Sequence, residues 1–163
     1  MCVGCVNNVV VCNRNNNDND NHSRRILIVD DEPDVCLTFK HGIEDYNRYK
    51  VDTYDKPRQA LQDFKTGIYD LVLLDIKMPH INGFQLYSLI KKIDSQVKIM
   101  FITAAETFYE QIRYRKGQRR VEEEGNSGNL EYRDFCKFNK DMFIQKPIQL
   151  KDLVSRIDAV LAD

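Results

Sequence analysis

Short, mainly apolar runs, most of them ending in a charged or hydroxyl residue, set the pattern of this chain. Ile26-Leu27-Ile28-Val29 leads into Asp30-Asp31-Glu32-Pro33, and Leu71-Val72-Leu73-Leu74 leads into Asp75. Val97–Ile102 ends at Thr103, and Met142–Gln145 ends at Lys146-Pro147. Continuous β-branched-rich runs of this length read as strands buried on both faces, as in a parallel sheet. Tyr49–Tyr54 alternates and reads as a further short strand.

Helical patterns fill the intervals. Val35, Leu37, Phe39 and Ile43 form an imperfect apolar stripe, with Asp31 as the expected cap and Pro33 in the first turn. Asp55-Lys56-Pro57 opens a second helix through Ala60, Leu61 and Phe64, which Gly67 is expected to end. Pro79 and Asn82-Gly83 mark a loop, after which Phe84, Leu86, Leu89, Ile90 and Ile93 follow at helical spacing. A closing helix runs from about Gln149 to Leu161, with Leu150, Leu153, Val154, Ile157, Val160 and Leu161 apolar. Strands alternating with helices predict an α/β fold, a doubly wound five-stranded parallel sheet covered on both faces.

Composition narrows the picture at the ends. Residues 7–21 carry eight Asn among few apolar side chains, and such a segment cannot offset the entropy of ordering. Residues 1–23 are therefore expected to be a disordered tail, with one domain over 24–163. A net charge of −1 gives no global drive toward nucleic acid or an anionic membrane. No apolar run approaches the ~18 residues that a membrane span needs, and Met1–Cys12 lacks the basic start of a signal peptide. The five cysteines, Cys2, Cys5, Cys12, Cys36 and Cys136, are odd in number and irregular in spacing, which argues against a disulfide framework. Cys2-Val3-Gly4-Cys5 has metal or redox spacing but lacks a second ligand pair, so exposed thiols in a cytoplasmic protein are the simpler reading.

The chemistry lies in what ends each strand. In a parallel sheet the C-terminal strand ends share one edge, and ligands of open α/β sheets bind just outside it. Asp30, Asp31, Asp75, Thr103 and Lys146 should therefore converge. Close carboxylates raise one another's pKa unless a cation joins them, and an oxygen-rich site of this kind suits Mg²⁺. Lys146 adds fixed positive charge and Thr103 a hydroxyl donor. Together they suit a phosphoryl group carried on a carboxylate oxygen.

These pieces together resemble the receiver domain of two-component response regulators. The matching segments are Ile26–Asp31, Leu71–Pro79, Asn82-Gly83, Phe101–Ala104 and Lys146-Pro147, in order and at strand ends. The resemblance implies a flavodoxin-like (βα)5 fold and a phosphorylation-dependent signalling switch rather than a turnover enzyme. It implies Asp75 as phosphoacceptor, and Asp30 and Asp31 as the acidic pair that holds Mg²⁺ with Asp75 and the backbone carbonyl of Lys77. It implies Thr103 and Lys146 as contacts to the phosphoryl group and Phe143 as an aromatic switch whose rotamer changes on activation. The partners implied are a histidine kinase or phosphotransfer protein upstream and a separate protein downstream. Direct DNA binding and membrane insertion are not expected, and a phosphorylation-dependent dimer stays open.

The chain departs from this pattern between Thr103 and Lys146, which are 43 positions apart. One helix at ~1.5 Å per residue with short loops needs roughly half of that. An insertion is expected within about 105–140: a lengthened helix carrying Arg113, Arg115, Lys116, Arg119 and Arg120, a Gly125–Gly128 turn and a short added helix. Its basic and acidic residues nearly balance, so a solvated charged surface and a partner surface both remain open. With the sequence stopping at Asp163, a stand-alone receiver is expected. Three other readings compete. A Mg²⁺-dependent phosphohydrolase with Asp75 as nucleophile would want a second Asp where Lys77 stands. A nucleic-acid binder would rest on Arg113–Arg120 alone. A degenerate receiver would not need Asp30, Asp31, Asp75, Thr103 and Lys146 all present.

Overall fold

The computed structural model describes residues 23–104 and 140–162. Residues 1–22 of the tail expected over 1–23, residues 105–139 of the insertion expected within about 105–140, and Cys2, Cys5, Cys12 and Cys136 lie outside the described residues. Five strands form one parallel sheet: β1 (Arg24–Val29), β2 (Tyr49–Tyr54), β3 (Leu71–Asp75), β4 (Lys98–Thr103) and β5 (Phe143–Gln145). Their order across the sheet is β2-β1-β3-β4-β5. The described helices are α1 (Pro33–Glu44), α2 (Pro57–Asp63), α3 (Gly83–Ile93) and α4 (Leu150–Ala162), with a single 3-10 turn at Lys140–Met142 before β5.

The continuous apolar runs have the physical reason expected of them. Ile26, Ile28, Leu71, Leu73, Met100, Ile102 and Ile144 face α1 and α4, where Cys36, Phe39, Ile43, Leu153, Val154, Ile157 and Leu161 meet them. The alternate residues Leu27, Val29, Val72, Leu74, Ile99, Phe101 and Phe143 face α2 and α3. Burial on both faces is what removes period-two alternation from β1, β3 and β4. Strand direction reverses its winding between β1 and β3, the point at which open sheets leave a crevice at their C-terminal ends.

Several local expectations are corrected. Glu32, not Asp31, holds the N-cap position of α1, and its side chain makes no capping bond. Pro33 at the first helical position fixes φ and needs no hydrogen-bond partner, so the helix starts there without Asp31. The α1 stripe lies on Cys36, Phe39, Gly42 and Ile43, which leaves Leu37 half exposed. Helix α2 stops at Asp63, before Gly67, because Phe64 turns to extended backbone and buries its ring in a stack on Tyr69. Asn82-Gly83 is the start of α3 rather than loop. Asn82 accepts a bond from the Gln85 N–H while the Gln85 side chain accepts one from the Asn82 N–H.

Candidate functional site

The ends of β1, β3, β4 and β5 bring Asp30, Asp75, Thr103 and Lys146 to one edge of the sheet. The first two flank the β1/β3 crevice. Asp30 has no exposed surface, Thr103 is buried, and Asp75 is only 5% exposed. Lys146 Nζ bridges the two carboxylates, 2.5 Å from Asp30 Oδ2 and 3.1 Å from Asp75 Oδ1. The lysine is placed by backbone as well: its N–H donates to the Thr103 carbonyl at 2.8 Å, which ties the exit of β5 to the end of β4.

Each carboxylate also accepts from the chain just beyond it. Asp30 Oδ1 takes the Glu32 N–H at 3.0 Å, and Asp75 Oδ2 takes the Lys77 N–H at 2.6 Å. These bonds hold both side chains back over their own strand ends. The Asp30 N–H donates to Tyr54 at the end of β2, and the Cys36 thiol of α1 donates to the Asp30 carbonyl at 3.4 Å.

Electrostatically the site is a compressed acid pair around one cation. Burial pushes the Asp75 carboxyl up to about 6, and Asp30 pushes in the same direction, against the pull of Lys146 and the Lys77 N–H. Burial works against the Lys146 ammonium, but its bonds to Asp30 and Asp75 prevail and its pKa is raised. The lysine therefore stays charged, while Asp75 takes up a proton far more readily than an ordinary carboxylate.

The other expected residues sit as follows. Asp31 is half-buried beside Asp30 and is not drawn into the Lys146 bridge. The Lys77 side chain is exposed, and its backbone lies against Asp75 through the N–H. Phe143 is buried and stacks on Phe101, centroids 5.1 Å apart and planes 17° from parallel, while Phe101 also meets Phe84 at 4.9 Å. Sequence reasoning gave no role to Glu32, whose carboxylate lies 3.8 Å from Lys146 Nζ. Its place in the Asp30-Asp31-Glu32 run was the available signal. It also gave no role to the backbone of Gly83, which lies against Asp75.

A hard divalent cation fits the donors. Among the described residues no three His, Cys, Asp or Glu side chains are gathered closely enough to form a ligand set by themselves. Mg²⁺ does not need one, since it keeps several waters and takes one or two carboxylates. The buried pair Asp30 and Asp75, with Asp75 pushed upward by burial and repulsion, is the kind of donor pair that such a cation would relieve.

Comparison with known proteins identifies the family and the fold. The family described as response regulator receiver domain matches residues 26–118. Among curated relatives, the transcriptional regulatory protein PcoR of Escherichia coli is 25% identical over 138 residues, which is 85% of this chain and 51% of PcoR. Response regulator ArlR of Staphylococcus saprophyticus is 28% identical over 137 residues, 84% of this chain and 52% of ArlR. The chain thus spans about half the length of these relatives. Among solved structures, the non-phosphorylated HemR receiver domain of Leptospira biflexa superposes with a TM-score of 0.61 at 26% identity, covering 86% of this chain and 95% of HemR. The response regulator TrrA of Thermotoga maritima, solved in complex with Mg²⁺-BeF, gives a TM-score of 0.59 at 26% identity, covering 84% and 98%.

Proposed function

Because this chain belongs to the response regulator receiver domain family, we propose that it is a phosphorylation-dependent switch whose phosphoacceptor is Asp75. Membership in this family means two-component signalling. The finer assignments, to Asp75, to Mg²⁺ and to particular partners, are this proposal's own. The observation that carries them is the Lys146 bridge between Asp30 and Asp75 at the β1/β3 crevice.

In this reading a carboxylate oxygen of Asp75 attacks the phosphorus of a phosphohistidine on a histidine kinase or phosphotransfer protein. A phosphorus–oxygen bond forms, the phosphorus–nitrogen bond breaks, and the imidazole leaves. Asp30, Asp31, Asp75 and the backbone carbonyl of Lys77 would hold Mg²⁺, which when bound supplies positive charge against the phosphoryl oxygens. The chain's own part is positioning. The Lys77 N–H holds one Asp75 oxygen at 2.6 Å, and the neighbouring β strands fix the carboxylate at the mouth of the crevice.

Phosphorylation then changes what Lys146 and Thr103 contact. Lys146 exchanges its place between two carboxylates for one on the phosphoryl oxygens, and the Thr103 hydroxyl donates to the same group. That differential contact shifts the balance between two conformations, since a ligand moves populations only by favouring one of them. Phe143 on β5, packed on Phe101 of the intervening strand β4, is the side chain proposed to report the change. Output passes to a downstream protein.

The test uses phosphoramidate, a small phosphorus–nitrogen donor, with Mg²⁺ and phosphorus NMR. The protein should show an acyl phosphate signal that Asp75→Asn lacks. An equal signal from Asp75→Asn would overturn the assignment.

A further inference from the structure

Asn82-Gly83 follows the phosphoacceptor strand, and the switch described above gives neither residue a task. Gly83 is the first residue of α3, where glycine is a poor choice on helix propensity alone. Nor does its backbone need glycine's conformational freedom: among the described glycines only Gly67 has a positive φ. The requirement at Gly83 is space. A Cβ built there would stand 2.3 Å from the Asp75 carbonyl oxygen and 3.1 Å from both the Asp75 carbonyl carbon and Ile76 Cα. All three are backbone atoms, which cannot swing aside as the end of a side chain can.

The helix is also prevented from backing away. The Gly83 N–H donates to the Ile76 carbonyl at 3.1 Å. The reciprocal Asn82–Gln85 bonds, 2.9 and 3.1 Å, close the first turn. Phe84 is buried with its ring against Phe101. The first turn of α3 is therefore clamped onto the peptide that carries Asp75.

We propose that Gly83 is a positioning residue for phosphorylation. Its missing side chain lets α3 close onto the Asp75 carbonyl and so fixes where the Asp75 carboxylate stands relative to Lys146 and Asp30. This rests on the assignment of Asp75 as phosphoacceptor. A Cβ at this position forces the helix or the strand end to move by a substantial fraction of an ångström, and reacting groups are sensitive to displacements of that size.

The experiment compares wild type, Gly83→Ala, Gly67→Ala and Asn82→Ala in the full chain, using acetyl phosphate and Mg²⁺. Initial rates are taken across donor concentrations and thermal midpoints are measured alongside. Gly67→Ala is the stability control: Gly67 has φ +74° and open space around it, in the turn after α2. Gly83→Ala should lower the limiting rate on the order of tenfold to 100-fold, as a misplacement approaching 1 Å does, with donor half-saturation little changed. Gly67→Ala should phosphorylate like wild type despite its strained backbone. A wild-type rate in Gly83→Ala overturns the proposal, as does a loss in Gly67→Ala that matches it. Should Gly83→Ala fail to fold, Asn82→Ala decides, since it loosens the clamp without adding an atom: a several-fold lower limiting rate supports positioning, and an unchanged rate overturns it. A wild type that takes no phosphoryl group removes the assignment on which the proposal rests, a result distinct from equal rates in wild type and variants.

Discussion

Lys146 Nζ stands 2.5 Å from Asp30 Oδ2, and Asp30 has no surface exposed to solvent. A buried carboxylate of this kind is tolerated only with a partner. The same ammonium reaches Asp75, so one cation stabilises two acids.

Lys146→Ala should therefore destabilise the fold, and pH should set the size of the loss. Removing one partner of a buried ion pair can cost about 3–5 kcal/mol. Here protonation limits the damage, because Asp75 already sits at about 6 against the downward pull of Lys146, and without the lysine neutralising it at pH 7 costs at most about 1.4 kcal/mol. Urea unfolding should show a loss of about 2 kcal/mol at pH 7 and less at pH 5. A loss that is equal at both pH values would contradict the bridge.

Asp75 itself should weaken the protein in metal-free buffer above its own pKa. Its folded value of about 6 exceeds the ordinary ~3.9, so the native state binds the proton more tightly than the unfolded chain does. The resulting stability is fully present below about pH 4 and is lost as pH rises through about 6. Asp75→Asn removes that dependence. Its thermal midpoint should exceed wild type at pH 7.5, by the equivalent of about 1–3 kcal/mol, and converge with it near pH 4. Mg²⁺ should narrow the gap. A constant difference across this range would show that burial does not raise the Asp75 pKa.

How far the sequence revealed this arrangement depends on the kind of feature. Runs such as Ile26–Val29 and Leu71–Leu74 are legible because burial on both faces leaves no polar position within them. The polar residues that end them are legible because parallel strands bring their C-terminal ends together. Asp30, Asp75, Thr103 and Lys146 follow from those two facts. Contacts made by backbone atoms were not legible. The Lys77 N–H on Asp75, the Lys146 N–H on Thr103 and the approach of Gly83 to the Asp75 carbonyl have no side-chain signature. The buried stripe of α1 was read only in part: Phe39 and Ile43 lie on it, but so do Cys36 and Gly42, and Leu37 does not.

The edge strand β2 carries a protection that pattern reading also missed. Val51 is buried, and its N–H donates to Glu44 Oε1 at 2.9 Å while its carbonyl accepts from Lys40 Nζ. The two α1 side chains are themselves paired at 3.2 Å. Together they cover edge groups that would otherwise template pairing with another strand. Burial opposes the Glu44 charge, but the Val51 N–H and Lys40 prevail and hold its pKa below the ordinary value. The stability it contributes is present above that ordinary value and lost as pH falls through the lower, folded one. Glu44→Ala should cost about 1 kcal/mol, mostly through the Val51 hydrogen bond, because the partly exposed ion pair adds only tenths. Sedimentation at rising concentration should show more self-association than wild type. Unchanged stability together with unchanged sedimentation would remove this role.

The central claim is that Asp75 carries the phosphoryl group, and intact mass after incubation with acetyl phosphate and Mg²⁺ tests it most directly. Wild type should gain one phosphoryl group, whereas Asp75→Asn, or wild type with the metal chelated, should gain none. A wild type that stays unmodified with Mg²⁺ present, or an Asp75→Asn variant modified to the same extent, would contradict it.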